Sequence, residues 1–278
     1  MSTRTLMTVA AVAVLAAGCS TTPKPPTAIA EVGESHGYAS GYMTRDDMPD
    51  SLALVPPPPA EGSAALNDDI EAYRALTALR NGPRGAQATK DAELRFPAAA
   101  GHFACALGVQ ISEQNTPHLN MLLRRTLADA GGATYKAKDK YQRTRPFVRF
   151  NEGTCTPASE PALRKDGSYP SGHSALGWAW GLVLTQVAPE RADALVQRAR
   201  AFAQSRGVCG AHWKSDIEAG RLVGSTAVAR LQSNPVFLAQ VAEARKEVAR
   251  ARAAGQVPAA ADCQAEAAAL SLSKHLAP

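Results

Sequence analysis

A chain of 278 residues has room for one large domain and demands no second core; with 45% hydrophobic residues but only 5% aromatics, its interior must be Ala, Leu and Val packed between helices. The formal charge of +5 is too mild and too scattered for a nucleic-acid binder, although it would draw in small anions. The five cysteines include no C-x-x-C pair, which disfavours a zinc ribbon or a thioredoxin-like site.

Residues 1–18 read as a secretory leader: MSTR is a short basic start, and LMTVAAVAVLAAG is an apolar stretch of signal-peptide length. A membrane span would need about 20 apolar residues, more than this stretch offers. LAAGC resembles a bacterial lipobox, with Ala16 where such motifs favour Leu. Cys19 is therefore a candidate lipidated first residue, against ordinary cleavage nearby. Export predicts a periplasmic protein, membrane-anchored if Cys19 is lipidated. In that oxidising compartment Cys105, Cys155, Cys209 and Cys263 allow one or two disulfides in any of three connectivities. Residues 19–64, with TPKPPT and VPPPPAEG, read as a Pro-rich spacer or tether, whose first part suits holding a domain off a membrane and whose last part is open to packing on the domain instead.

From 65 to 255 helical patterns dominate and no stretch shows sustained period-two alternation, so the expected fold is all-α, a single helical bundle with few or no strands. NDDIEAYRALTALR opens with Asn67 as a capping residue; TPHLNMLLRRTLADAGG offers Thr116 as N-cap and Pro117 at the first helical position. SGHSALGWAWGLVLTQVAP is apolar nearly all round, which predicts a helix through the middle of the domain. APERADALVQRARAFAQSRG, AHWKSDIEAGRLVGSTAVARL and NPVFLAQVAEARKEVARARAAG supply three more helices. Residues 256–278 read as a C-terminal tail.

Three clusters carry chemistry. In KDKYQRTRPF, Lys138 and Arg145 stand seven apart, a spacing that on a helix returns both to one face, while Pro146 pushes Arg145 toward extended backbone. In SYPSGHSALGW, Ser171 is placed as N-cap of the apolar helix with Gly172 and His173 in its first turn, where unpaired amides and the dipole favour an oxyanion. In SRGVCGAHWKSD, Arg206 precedes a turn, and His212 and Asp216 fall four apart on the next helix. The carboxylate can then fix one imidazole nitrogen and leave the other bare and nucleophilic. Each cluster alone has a bland alternative: a solvated basic helix end, a simple cap, a surface His–Asp pair.

Together, in order and spacing, they resemble the three-part signature K-x6-R-P, P-S-G-H and S-R-x5-H-x3-D of the type 2 phosphatidic acid phosphatase superfamily. AKDKYQRTRPF, SYPSGHS and SRGVCGAHWKSD are similar to its soluble branch, the bacterial class A non-specific acid phosphatases, with weaker similarity from about Asn67 to Arg250. The resemblance implies a helical bundle of the phosphatase/haloperoxidase type that hydrolyses phosphate monoesters over a broad substrate range through a phosphohistidine. It makes His212 the nucleophile, Asp216 its orienting carboxylate and His173 the acid–base group. Lys138, Arg145, Arg206, Ser171 and Gly172 then hold the phosphoryl oxygens. It also leaves room for a homo-oligomer.

Such a site meets transition-state charge with fixed cations and N–H donors and calls for no cofactor. The six histidines include no H-x-x-x-H pair, so a zinc or two-metal site is not expected. The rival readings are a lipid phosphatase at the membrane surface, a vanadium-dependent haloperoxidase, and a phosphate-binding module without chemistry.

Overall fold

The computed structural model describes residues 24–35 and 37–276; the readings of the leader and of Cys19 lie outside the described residues. The first strands among the described residues form a two-stranded antiparallel ribbon, β1 (Glu34–Ser35) and β2 (Tyr38–Ala39), in which Glu34 faces Ala39 and Ser35 faces Tyr38. Then come α1 (Ser51–Leu54), α2 (Ala64–Thr77), α3 (Pro83–Asp91), α4 (Ala104–Leu107), α5 (Pro117–Gly132), α6 (Tyr135–Tyr141) and α7 (Pro146–Arg149). They are followed by α8 (Glu160–Leu163), α9 (Gly172–Val187), α10 (Ala192–Val208), α11 (Lys214–Leu231), α12 (Pro235–Ala253) and α13 (Ala260–Ser271). The fold is mostly helical, as the composition predicts, and the ribbon is the one sheet among the described residues. None of the described helices is long and apolar enough to cross a membrane.

The largely apolar α9 runs through the centre, packed by α5, α10 and α11, with α12 laid across α5. Trp180 of α9 is fully buried, and its indole N–H donates to the Leu123 carbonyl (2.8 Å), which lets so large a ring sit in the core without an unmet donor. Phe103 and Phe202 meet its ring edge-on, at centroid distances of 6.1 and 5.9 Å, within a core that also holds Leu119, Leu122 and Phe237. The α9–α11 contact is unusually close because α11 carries Gly220 and Gly224. A Cβ on Gly224 would lie 2.3 Å from the Ala175 carbonyl oxygen, and one on Gly220 2.5 Å from that of Ser171. That approach brings the start of α11 against the start of α9, where the Ser171 N–H donates to the Asp216 carbonyl (3.0 Å).

Two caps differ from expectation. Helix α2 starts three residues before Asn67, and Ser63 is its N-cap, its hydroxyl accepting from the Leu66 N–H (3.1 Å). Thr116 does hold the N-cap position of α5, but its hydroxyl turns back to Ser112. The first-turn amides of His118 and Leu119 are instead met by the buried Glu247 carboxylate of α12 (3.0 and 2.9 Å). A long-range acceptor replaces the local one because α12 already lies across this helix end, and an anion there also suits the dipole.

The described part of the spacer packs on the domain. Asp129 of α5 accepts from the Tyr42 and Met43 amides (2.9 and 3.0 Å), while Arg125 donates to the Ser40 and Gly41 carbonyls and lies 3.9 Å over the Tyr42 ring. Burial pushes the Asp129 carboxyl up to about 6. Residues 256–278, read as a tail, carry α13, which is joined to α4 by the Cys105–Cys263 disulfide. The second disulfide, Cys155–Cys209, ties the segment after α7 to the end of α10. These pairings choose one of the three connectivities open to the sequence.

Candidate active site

The loop after α6 shapes the first cluster. Helix α6 ends at Tyr141 and Gln142 takes a left-handed conformation (φ 41°), so Lys138 and Arg145 do not share a helix face as their spacing suggested. The chain turns back, and Arg145, extended ahead of Pro146 (φ −69°, ψ 149°), is carried to the same place as Lys138 by a loop. Both cations reach the Gly167 carbonyl: Lys138 Nζ donates at 2.6 Å and Arg145 Nη2 at 3.4 Å. Asp166 pairs with both, at 3.6 Å from Lys138 and 3.1 Å from Arg145. Arg145 Nη1 lies 3.0 Å from His212 Nε2 and donates to the Ala211 carbonyl (3.1 Å).

His212 and Asp216 also meet differently from a pair on one helix. Helix α11 begins at Lys214, so His212 belongs to the turn before it and Asp216 to its first turn. One carboxylate oxygen, Oδ2, accepts from the Trp213 N–H (2.9 Å) and faces His212 Nδ1 (3.3 Å). An imidazole whose Nδ1 proton points at a carboxylate keeps Nε2 as the bare nitrogen, and that nitrogen faces the cations. Among the described residues the tautomer follows from this network.

Ser171 is the N-cap of α9, as predicted: its hydroxyl oxygen accepts from the Ser174 N–H (3.2 Å) and the Ser174 hydroxyl (2.9 Å), which leaves its own proton free to donate elsewhere. Gly172 N–H is one of the first-turn amides an α-helix leaves without an internal acceptor. His173, in the same turn, has Nε2 3.1 Å from the Ala92 carbonyl, which requires the proton there and frees Nδ1. Arg206, in the last turn of α10, is 2% exposed, and its Nε and Nη1 have no protein partner. Buried guanidinium donors without acceptors fit an anion.

The structure thus brings together all eight predicted residues. Burial, then the neighbouring cations Arg145, Lys138 and Arg206, hold the His212 imidazole well below its usual range; burial, then Arg206, does the same to His173. Burial and Arg145 bring Arg206 down to about 9, and burial brings Lys138 to about 8 against the opposing pull of Asp166. Among the described residues no group of three His, Cys, Asp or Glu side chains is placed to hold a metal ion.

Sequence reasoning passed over four polar side chains around the site. Arg143, inside the first cluster, donates to Asp216 Oδ1 (2.7 Å) and Asp69 Oδ2 (2.7 Å). Asp69 accepts from the Ser215 N–H and hydroxyl (both 2.7 Å). Asp91, fully buried, accepts from Arg198 and from the Ser205 hydroxyl (2.6 Å), the residue next to Arg206. Asp166 is the fourth. A basic residue in KYQRTRP was visible as a signal; nothing local marked the three carboxylates.

Residues 119–234 match the PAP2 superfamily. The chain is 45% identical over 210 residues to a non-specific acid phosphatase of Providencia stuartii, covering 75% of this chain and 85% of that one. It is 44% identical over 208 residues to a non-specific acid phosphatase of Salmonella typhi, covering 74% and 83%. An acid phosphatase of Zymomonas mobilis is 34% identical over 253 residues, covering 91% and 92%. With the geometry above, these likenesses show that the chain belongs to the class A non-specific acid phosphatases of the PAP2 superfamily.

Proposed function

We propose that the protein hydrolyses phosphate monoesters through a phosphohistidine on His212, without a metal ion and over a broad range of substrates. The observation that carries this is the bare Nε2 of His212, 3.0 Å from Arg145 and backed by Asp216. In the first step the Nε2 lone pair forms the bond to phosphorus as the ester P–O bond breaks, and the leaving oxygen takes a proton from His173. In the second, His173 takes a proton from water, whose oxygen bonds to phosphorus as the P–N bond breaks and phosphate departs. Lys138, Arg145 and Arg206, with the Ser171 hydroxyl and the Gly172 amide, hold the non-bridging oxygens while charge builds on them.

His173 is held below its usual range by burial and by Arg206, so it gains its second proton, on Nδ1, mainly when the negative substrate is beside it, and acid pH favours that state. This supports an acidic optimum. The periplasm is the proposed location, with Cys19 as the proposed lipid anchor; a homo-oligomer is the proposed state. Hydrolysis of para-nitrophenyl phosphate between about pH 5 and 7 tests the chemistry, in the range where histidine titrates. His212→Ala should abolish turnover and Asp216→Asn lower it by about 10²-fold or more, the scale of acid–base and electrostatic contributions. Vanadate should inhibit, and EDTA should not; loss of activity on chelation would overturn the metal-free reading.

A further inference from the structure

Behind Asp216, on the side away from His212, lies a buried ionic pair that the mechanism above does not use. Asp216 is fully buried, and its two oxygens are divided: Oδ2 serves His212 and the Trp213 amide, while Oδ1 accepts from Arg143 (2.7 Å). The second arm of that guanidinium reaches Asp69 of α2, which is 1% exposed and accepts three bonds at 2.7 Å, from Arg143 Nη2, the Ser215 N–H and the Ser215 hydroxyl. The Ser215 oxygen in turn accepts from Arg143 Nη1 (2.7 Å), so the guanidinium, the serine and both carboxylates form one connected network. The guanidinium plane also sits 5.2 Å from the Trp213 ring.

We infer that Arg143 and Asp69 are a positioning pair for the nucleophile: Arg143 fixes the rotation of the Asp216 carboxylate, and Asp69 cancels the arginine's charge so that Asp216 can still stabilise a positively charged His212. This rests on the phosphohistidine reading, in which the phosphorylated imidazole carries positive charge. The sum decides the matter. Arg143 alone against Asp216 leaves no net charge behind the imidazole, whereas Asp69 restores one negative charge. An arginine fork is suited to this because it holds two carboxylates in fixed directions at once. The other charges around His212 stay constant in the comparison: Lys138 from α6, Arg145 before α7, His173 from α9, Arg206 from α10 and Asp166 from the loop before α9. Tyr169, near Asp216 and Arg143, bonds through its hydroxyl to the Pro56 carbonyl (2.8 Å).

The acid limb of the kcat/KM profile reads protonation of free His212, and the two single variants should move it in opposite directions. Asp69→Asn removes a negative charge, so the limb should move to lower pH and kcat fall about tenfold or more. Arg143→Gln leaves two carboxylates behind the imidazole, so the limb should move to higher pH, by about one unit for a neighbouring charge of this kind. Combining both substitutions restores the wild-type charge sum, so the limb should return to its wild-type position, with kcat still lowered because Asp216 has lost its clamp. A purely structural pair would give parallel losses without opposed shifts. Limbs that stay put, or move the same way, in variants with near-native thermal melts would overturn the inference. If one single variant does not fold, the other decides: a limb moved in its stated direction supports the pair, and an unmoved limb overturns it. His212→Ala separates the two levels, since turnover surviving there sinks the phosphohistidine itself.

Discussion

Lys138 is buried beside Arg145, and its ammonium is brought down to about 8 by removal from water, with Asp166 opposing the effect and Arg145 adding to it. Under the proposed function, a cation that loses its proton as pH rises through 8 no longer holds a phosphoryl oxygen, so kcat/KM should show a second, steeper fall there, above the decline that deprotonation of His173 causes at lower pH. In Lys138→Arg the replacement stays charged, and that second break should disappear while the first stays; a pH–rate profile of both proteins checks it. The same scale shows what the chain discloses about itself. His212, His173 and the cations are readable because their chemistry is local to three short motifs. Asp69 and Asp91 are not, because each acts across more than a hundred residues of sequence, Asp69 on Ser215 and Asp91 on Ser205. Their role appears only once α2, α3, α10 and the start of α11 are packed together.

The helices were readable from periodicity, and their ends much less so. Glu247 caps α5 from 128 residues away, and the His212–Asp216 pair straddles the start of α11 rather than riding one face of it. Both follow from packing that no local window contains. The glycines of α11 are the clearest case. With the Ala175 carbonyl oxygen 2.3 Å from an added Cβ, and backbone unable to yield as a side chain would, Gly224→Ala should push α11 off α9. Overpacking of this kind costs about 1–3 kcal/mol. A thermal melt should show a loss of several degrees, about 2–4 °C per kcal/mol at this size. Under the proposed function activity should fall with it, since the Ser171–Asp216 backbone bond joins the first turn of α9 to the carboxylate behind His212.

At the scale of the molecule, few aromatics and much Ala, Leu and Val predicted a closely packed helical interior, and the core around α9 is one. Which cysteines pair could not be read, because connectivity is decided by where α4 and α13 come to rest. The Cys105–Cys263 bridge spans 158 residues of sequence, so it restrains the unfolded chain strongly. Replacing both by Ser should cost about 2–5 kcal/mol, seen as a lower urea midpoint with kinetic constants little changed.

The last helix has a practical consequence. Arg84 donates to the Ser273 hydroxyl with one nitrogen and to the Ser205 hydroxyl with another, and Gln204 reaches the Ser273 and Leu276 carbonyls. Ser205 is the immediate neighbour of Arg206, the guanidinium proposed to hold phosphate. Under that proposal, trimming this end for crystallisation, or wedging an affinity handle beneath it, would loosen the cation from behind, and damage done there would read in an assay as weakened substrate binding.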